Sequence, residues 1–181
     1  MTHGIKEIHP HLHLKCFTAT EIGWLADRVA KMSVEDTLGA LRRAGLGSLT
    51  GGGAEIFAEP TRSRICKGKQ SGEDWLEVHR VAHGMGIAST CTMLYGHIET
   101  NEDRVDHMLR LRELQDETGG FTAFIPLAFH PDNSQMADVP GPGGLLDIRN
   151  YAAARLLLDN IDHIKAYWIM VGLPIAQISL R

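Results

Sequence analysis

Cysteine is scarce in this chain: among 181 residues only Cys16, Cys66 and Cys91 carry a thiol. Three widely spaced cysteines argue against a disulfide framework, and no C-x-x-C pair points to zinc or an iron–sulfur cluster. Long hydrophobic runs are missing as well. The apolar stretches fall far short of the ~20 residues that cross a bilayer, and residues 1–4 do not begin a signal peptide. No excess of one charge is present either. The formal net charge is −4 and no basic stripe appears, which removes the electrostatic footprint of a nucleic-acid binder. These absences lead to the expectation of a cytoplasmic protein with neither membrane nor nucleic-acid partners.

What is present is a chain long enough to bury a core and a pattern that alternates strand and helix. Apolar runs at residues 12–17, 46–49, 87–95, 121–129 and 164–171 read as strands. Between them, Thr18, Ser33, Ser71 and Thr100 each stand three residues before an acidic residue, the signature of a helix start. Residues 131–144, rich in proline, glycine and aspartate, read as a loop that is either mobile or laid over a site. Strand–helix alternation predicts a parallel sheet with helices outside it. An open doubly wound sheet and a (β/α) barrel both satisfy it. Polar residues at strand ends (Thr18, Glu55, His97, His130) favour the barrel, whose chemistry sits on that face. A whole barrel takes about 250 residues. The α/β fold expected here is therefore a partial TIM-type barrel of about five strand–helix units, spanning residues 1–181 as one portion of a domain.

The chain is organised around Gly47-Ser48-Leu49-Thr50-Gly51-Gly52-Gly53-Ala54-Glu55-Ile56-Phe57. Three consecutive glycines can bring main-chain amides close to a ligand, and Glu55 can accept from a diol or hold a cation. A tight strand-to-helix turn explains the run equally well. It matches neither the dinucleotide nor the P-loop pattern. After the next strand, Tyr95, His97 and Glu99 share one side if the alternation continues, and a phenol, an imidazole and a carboxylate can do acid–base work. Glu99 is also placed to cap the following helix. His130 lies at the same height on the next strand. Arg62, Arg64, Lys67 and Lys69 form the densest basic stretch, with Arg62 suited to a substrate carboxylate through its planar fork. His9, His11 and His13 raise a zinc hydrolase as an alternative. They stand at the start of a strand, opposite the face barrel chemistry uses, and no metal ligand is assigned.

From about Leu12 to its last residue the sequence resembles the futalosine-pathway radical S-adenosylmethionine (SAM) enzymes of menaquinone biosynthesis. The residues that carry the resemblance are Gly51-Gly52-Gly53-Ala54-Glu55-Ile56-Phe57, Lys15 with Phe17-Thr18-Ala19, Arg62 with Ile65-Cys66, and Trp75-Leu76. His79-Arg80 with Ala82-His83, Thr92 through Glu99, and Phe124 through Pro131 extend it. The segments Leu94-Tyr95-Gly96-His97-Ile98-Glu99 and Phe124-Ile125-Pro126-Leu127-Ala128-Phe129-His130-Pro131 look like the aminofutalosine synthase branch; the dehypoxanthine futalosine cyclase branch is second. The resemblance implies a transferase in which a [4Fe–4S] cluster cleaves SAM. The 5′-deoxyadenosyl radical then adds to the enolpyruvyl ether of 3-hydroxybenzoate, 3-[(1-carboxyvinyl)oxy]benzoate. Read with that chemistry, the residues suit SAM at Gly51, Gly52, Gly53 and Glu55, substrate at Arg62, His97 and His130, and catalytic roles for His97, Glu55 and Tyr95.

Two departures qualify the likeness. The C-x-x-x-C-x-x-C loop that holds the cluster in that family is missing, so the ligands of the cluster are not in this chain. Thr50 stands where the family usually has proline before the glycines. The expectation is the C-terminal portion of such an enzyme, inactive and poorly folding alone, with open barrel edges prone to self-association. A non-catalytic partial barrel remains the alternative.

Overall fold

The computed structural model describes residues 2–180, leaving aside the side chains of Thr2 and His3. A short helix α1 (Thr2–Ile8) precedes strand β1 (Leu14–Thr18), followed by α2 (Ala19–Trp24) and α3 (Val34–Arg43). Next come β2 (Leu46–Thr50), α4 (Glu59–Ile65), α5 (Gly72–Gly84), β3 (Ser89–Tyr95), α6 (Asn101–Thr118) and β4 (Phe121–Ala128). The chain continues through α7 (Gly144–Leu157), α8 (Trp168–Val171) and α9 (Leu173–Ser179). Helix α9 ends at Ser179, and Arg181 lies outside the described residues.

Helix starts follow their side chains. Thr18, Ser71 and Thr100 form reciprocal capping boxes with Glu21, Asp74 and Asp103, and Ser33 accepts from the Asp36 amide. Gly119, at φ 62°, closes α6 in the left-handed conformation that glycine takes without a Cβ penalty. Between α2 and α3, Leu25–Ala30 runs on as a π-helix rather than as more α-helix.

All four strands pair in parallel, in the order β1-β2-β3-β4. A doubly wound sheet reverses its strand order at a switch point, whereas a barrel adds each strand beside the last. The fold is thus α/β, with a sheet of the partial (β/α)-barrel kind. The fifth strand expected at residues 164–171 is not formed as such. Ile164 makes one parallel bridge to Phe124, and the chain then turns into α8. Hydrogen bonds from the Phe124 amide to His163 O and from the Lys165 amide to Phe124 O keep this segment on the β4 edge.

The core lies between the outer face of the sheet and the helices. Its largest fully buried members include Trp75, Tyr95, Phe57, Phe124, Ile22, Leu38 and Leu49. Three histidines are buried within it. His79 lies against Trp75 with ring centroids 3.9 Å apart and has no partner on either ring nitrogen. His83 sits between the hydroxyls of Thr118 and Ser89, 2.8 Å from each. His107 stacks on Phe57 and donates from Nε2 to Thr92 O at 2.9 Å.

Burial pushes all three imidazoles toward the neutral form: His83 down to about 4, His107 to about 3, and His79 well below its usual value, with His83 adding to the effect. Because the folded values lie below those of the unfolded chain, this stability is present above pH ~6.5 and is lost as pH falls toward the folded values. His83 and His107 then each contribute about 2 kcal/mol less at pH 5 than at pH 7, and His79 acts in the same direction. Urea unfolding should show a clearly lower midpoint at pH 5, and His107→Phe should reduce the difference between the two pH values. An unchanged midpoint would contradict the burial argument.

Candidate functional site

The seam between β2 and β3 is unusual because side-chain hydroxyls carry part of it. Main-chain pairing occurs at Leu49, whose amide donates to Ala88 O at 3.0 Å. Two residues on, the Gly51 amide donates to Thr90 Oγ1, and Gly51 O accepts from Thr92 Oγ1 at 2.6 Å. A Cβ at Gly51 would fall 2.7 Å from the Cys91 Cα, so only glycine allows the approach. Above it Gly53 takes φ 85°, with Thr20 Oγ1 filling the space of a side chain. The chain then returns to β3: Leu94 N donates to Glu55 O at 2.8 Å.

This path leaves Glu55 at φ 48°, one of three non-glycine residues with positive φ among those described. Such a conformation costs about 1–3 kcal/mol and persists only where its surroundings impose it. Glu55 extends its carboxylate into a cavity of about 310 Å³ and pairs with Lys69 Nζ at 2.8 Å. The cavity lies at the carboxyl ends of β2, β3 and β4. Its walls include Arg64, Ile65 and Cys66 from α4 and its end, Leu94 in β3, His97 just beyond β3, and Phe129 beyond β4. Ser134, Gln135 and Met136 cover it from the loop at 131–144. The loop is thus laid over this cavity.

Of the candidates from sequence, the cavity gathers Glu55 and His97. The His97 ring is buried, with Nε2 3.1 Å from Leu94 O and Nδ1 3.1 Å from Glu99 Oε2 without hydrogen-bond alignment. Burial lowers its pKa, and the Glu99 carboxylate and Leu94 carbonyl offset only part of that. Glu99 is itself locked: it accepts from the amides of Gly96 and His97 and from Arg104 at 2.6 Å. Its carboxylate holds the turn after β3 and orients His97, rather than facing a ligand.

The other candidates lie elsewhere, each for a physical reason. Gly51, Gly52 and Gly53 do not line the cavity: Gly51 is bonded at both its amide and its carbonyl, and the carbonyls of Gly52 and Gly53 accept from Trp75 Nε1 and Arg62. Their work is to bring the chain against β3 and deliver Glu55. Tyr95 does not share a side with His97. The strand ends at Tyr95 and Gly96 turns at φ 86°, so the alternation stops. The Tyr95 ring faces the helices, donates to Asp147 Oδ1 of α7 at 2.7 Å, and has its pKa raised by burial and that carboxylate. His130 is exposed and bonds Met170 O; Phe129, one residue earlier, takes the place in the cavity wall.

Arg62, expected to meet a substrate carboxylate, is only 2% exposed and turned inward. Its guanidinium donates to Gly53 O, Ala54 O, Ile56 O and twice to Gln70 O. It clamps the glycine turn to the loop before α5. Cationic character at the cavity comes instead from Arg64 and Lys69. Sequence reasoning missed Phe129 and Met136; the Phe-His-Pro end of β4 and the proline- and glycine-rich loop were the available signals.

Among the described residues no group of three or more His, Cys, Asp or Glu could hold a metal ion. Cys16 is exposed on β1, while Cys66 and Cys91 are buried with thiol pKa values raised by burial. An iron–sulfur cluster therefore finds no ligand set in these residues. SAM does find suitable chemistry in the cavity: a carboxylate and an ammonium for its amino-acid end, and apolar side chains from Leu94, Phe129 and Met136.

Replacing Arg62 by lysine keeps the charge but not the fork, leaving carbonyls without donors. Arg62→Lys should destabilise the protein by about 2–4 kcal/mol in urea unfolding. A loss below 0.5 kcal/mol, roughly the scatter of surface substitutions, would refute the clamp.

Residues 118–181 match the family described as the CofH/MqnC C-terminal region. Over 99% of its length the chain is 52% identical to the aminodeoxyfutalosine synthase of Thermus thermophilus, covering 49% of that protein. It is 41% identical to the cyclic dehypoxanthine futalosine synthase of Streptomyces coelicolor, with 98% of this chain and 44% of that one aligned. With the 5-amino-6-(D-ribitylamino)uracil--L-tyrosine 4-hydroxyphenyl transferase 1 of Methanosarcina acetivorans it shares 40% identity, over 98% and 49%. The chain spans about half the length of the curated relatives it matches. With its parallel sheet and its cavity at the strand ends, the chain carries the C-terminal region of the CofH/MqnC family at residues 118–181, and nearly its whole length is similar to about half of an aminodeoxyfutalosine synthase.

Proposed function

We propose that the chain supplies the substrate-facing C-terminal half of a radical SAM aminodeoxyfutalosine synthase, acting in menaquinone biosynthesis. The observation that carries this reading is the identity of 52% with the Thermus thermophilus synthase, against 41% and 40% for relatives named for other activities. The cavity supports it. The segment Leu94 through Glu99, which includes two of its lining residues, is one that resembles the synthase branch.

When bound, SAM supplies the 5′-deoxyadenosyl group that joins the enol-ether carbon of 3-[(1-carboxyvinyl)oxy]benzoate. This chain's residues do the positioning. Glu55, held in its left-handed conformation and paired with Lys69, presents one carboxylate and one ammonium to the zwitterionic amino-acid end of SAM. Arg64 offers a cation for a substrate carboxylate. His97, neutral and held by Glu99 and Leu94, presents an imidazole rather than a second positive charge. Phe129 and Met136 exclude water from that side. The cluster and its ligands belong to a part of the enzyme outside the residues described.

A chimera tests the reading: this chain in place of the C-terminal half of the Thermus thermophilus synthase, with SAM and a reductant. The expected result is aminodeoxyfutalosine from 3-[(1-carboxyvinyl)oxy]benzoate and no reaction with dehypoxanthine futalosine. A folded chimera that turns over only the latter would overturn the assignment. In the active chimera Glu55→Gln should lower kcat/KM by about 10²-fold, comparable to removing one fixed polar contact in other active sites. An unchanged value would remove Glu55 from the site.

A further inference from the structure

Both ends of the strap that covers the mouth cavity are fixed at one point of the sheet. At its leading end the Phe129 amide donates to Tyr95 O at 2.8 Å, and the neighbouring His130 ring bonds Met170 O at 3.1 Å. At its trailing end Pro142 packs over Gly96, where an added Cβ would fall 2.5 Å from the proline Cδ. Five residues on, the buried Asp147 of α7 accepts from the Tyr95 hydroxyl at 2.7 Å. Tyr95 and Gly96 thus hold both feet of the strap. The feet also meet each other: a Cβ on Gly141 would lie 2.9 Å from Phe129 O and 3.4 Å from Pro131 Cδ. A surface segment closed at its base in this way is an Ω-loop.

Between the feet the outside polar contacts stop. Among the described residues, every hydrogen bond of residues 132–139 closes within the strap: Ser134 N to Pro131 O, Met136 N to Ser134 Oγ, and Val139 N to Met136 O. No ion pair among those residues joins Asp132 or Asp138 to the rest of the protein. Pro131, Pro140 and Pro142 fix φ at the two ends, which leaves the stretch between them as the part free to move. What lies beneath it is the cavity, lined by Ser134, Gln135 and Met136. The Gln135 side-chain amide has no partner among the described residues. A segment with fixed ends and few outside bonds opens at little cost, and such loops close when a ligand supplies the missing contacts.

We infer that residues 132–139 form a lid that opens and closes over the mouth cavity about feet fixed at Tyr95 and Gly96, and that Gln135 is the lid side chain that bonds the ligand. Tyr95 is then a positioning residue of the lid. The ligand class, SAM, rests on the reading proposed above; the lid itself rests on the geometry of its feet and its unanchored middle.

Hydrogen exchange read by mass spectrometry tests it without turnover. In the full chain, the amides of 132–139 should exchange about 100-fold faster than those of β3. Tyr95→Phe keeps the ring and removes the bond to Asp147. It should speed exchange of residues 141–147 about 10-fold and leave α5 unchanged, and Pro142→Ala should act on the same foot. Faster exchange everywhere, α5 included, would mean lost stability alone and would remove the foot at Tyr95. The ligand arm uses the chimera described above with S-adenosylhomocysteine as the probe. Bound probe should slow 132–139 about 10-fold, and Gln135→Ala should weaken its binding about 5-fold in calorimetry. Exchange of 132–139 as slow as that of β3 in the free chain, or bound probe that leaves these amides unprotected, would overturn the lid. Binding equal to the parent in Gln135→Ala would take Gln135 out of it. If the free chain behaves as expected and the probe does not bind, the hinged strap stands, while the proposed SAM site and the Gln135 contact fall. A chimera that makes aminodeoxyfutalosine without protecting 132–139 removes the lid alone.

Discussion

The buried guanidinium of Arg62 is the constraint on which the site depends. A charged group out of water is tolerable only when each of its donors is satisfied, and here carbonyls from both sides of α4 do so. Gly53, Ala54 and Ile56 lie before the helix and Gln70 after it, so one side chain fixes the turn that leaves β2 and the loop that enters α5. Glu55 sits inside the clamped segment and Lys69 beside its far end. Their 2.8 Å ion pair at the cavity is thus set by a neighbour that never reaches the cavity. A lysine or a neutral residue cannot do this, because only a planar fork reaches carbonyls in several directions.

Hydroxyls do a related job between β2 and β3. Where the two strands diverge above Leu49, Thr90 and Thr92 replace main-chain partners for Gly51, and pairing resumes only at Glu55. The glycine run is therefore a feature of strand association first. Its consequence for chemistry is indirect: the chain is drawn close enough to β3 that the next carboxylate emerges over the end of the sheet, beside His97.

Much of the fold was legible because its signals are local. Helix starts at Thr18, Ser33, Ser71 and Thr100 depend on side chains reaching amides three residues away, and the structure forms each one. Four strands appear where apolar runs predicted them. The segment at 164–171 has the same apolar character but lacks a strand on its far side, and after one bridge it turns into helix. The site was less legible because direction is not local. Arg62 reads as a surface cation until the carbonyls that surround it are known. Tyr95 and His97 read as neighbours on one side until Gly96 breaks the alternation. Glu55 was legible because a carboxylate immediately after a glycine turn has few places to go.

Charge is sorted by face in a way composition hides. The chain as a whole is mildly acidic, at −4. Many of its carboxylates, however, are engaged on the helical side: Glu21, Asp36, Asp74 and Asp103 cap helices, Glu77 and Glu117 pair with Arg80, and Glu99 is locked by Arg104. On the other side of the sheet, Lys15 donates to Thr90 Oγ1 and takes no part in these helix-side pairs. Carboxylates at helix N-termini are favoured by the unpaired amides there, so the helices hold negative charge for reasons of their own stability. Glu55 at the rim is a fixed negative charge of a different kind, paired with Lys69 and close to Arg64.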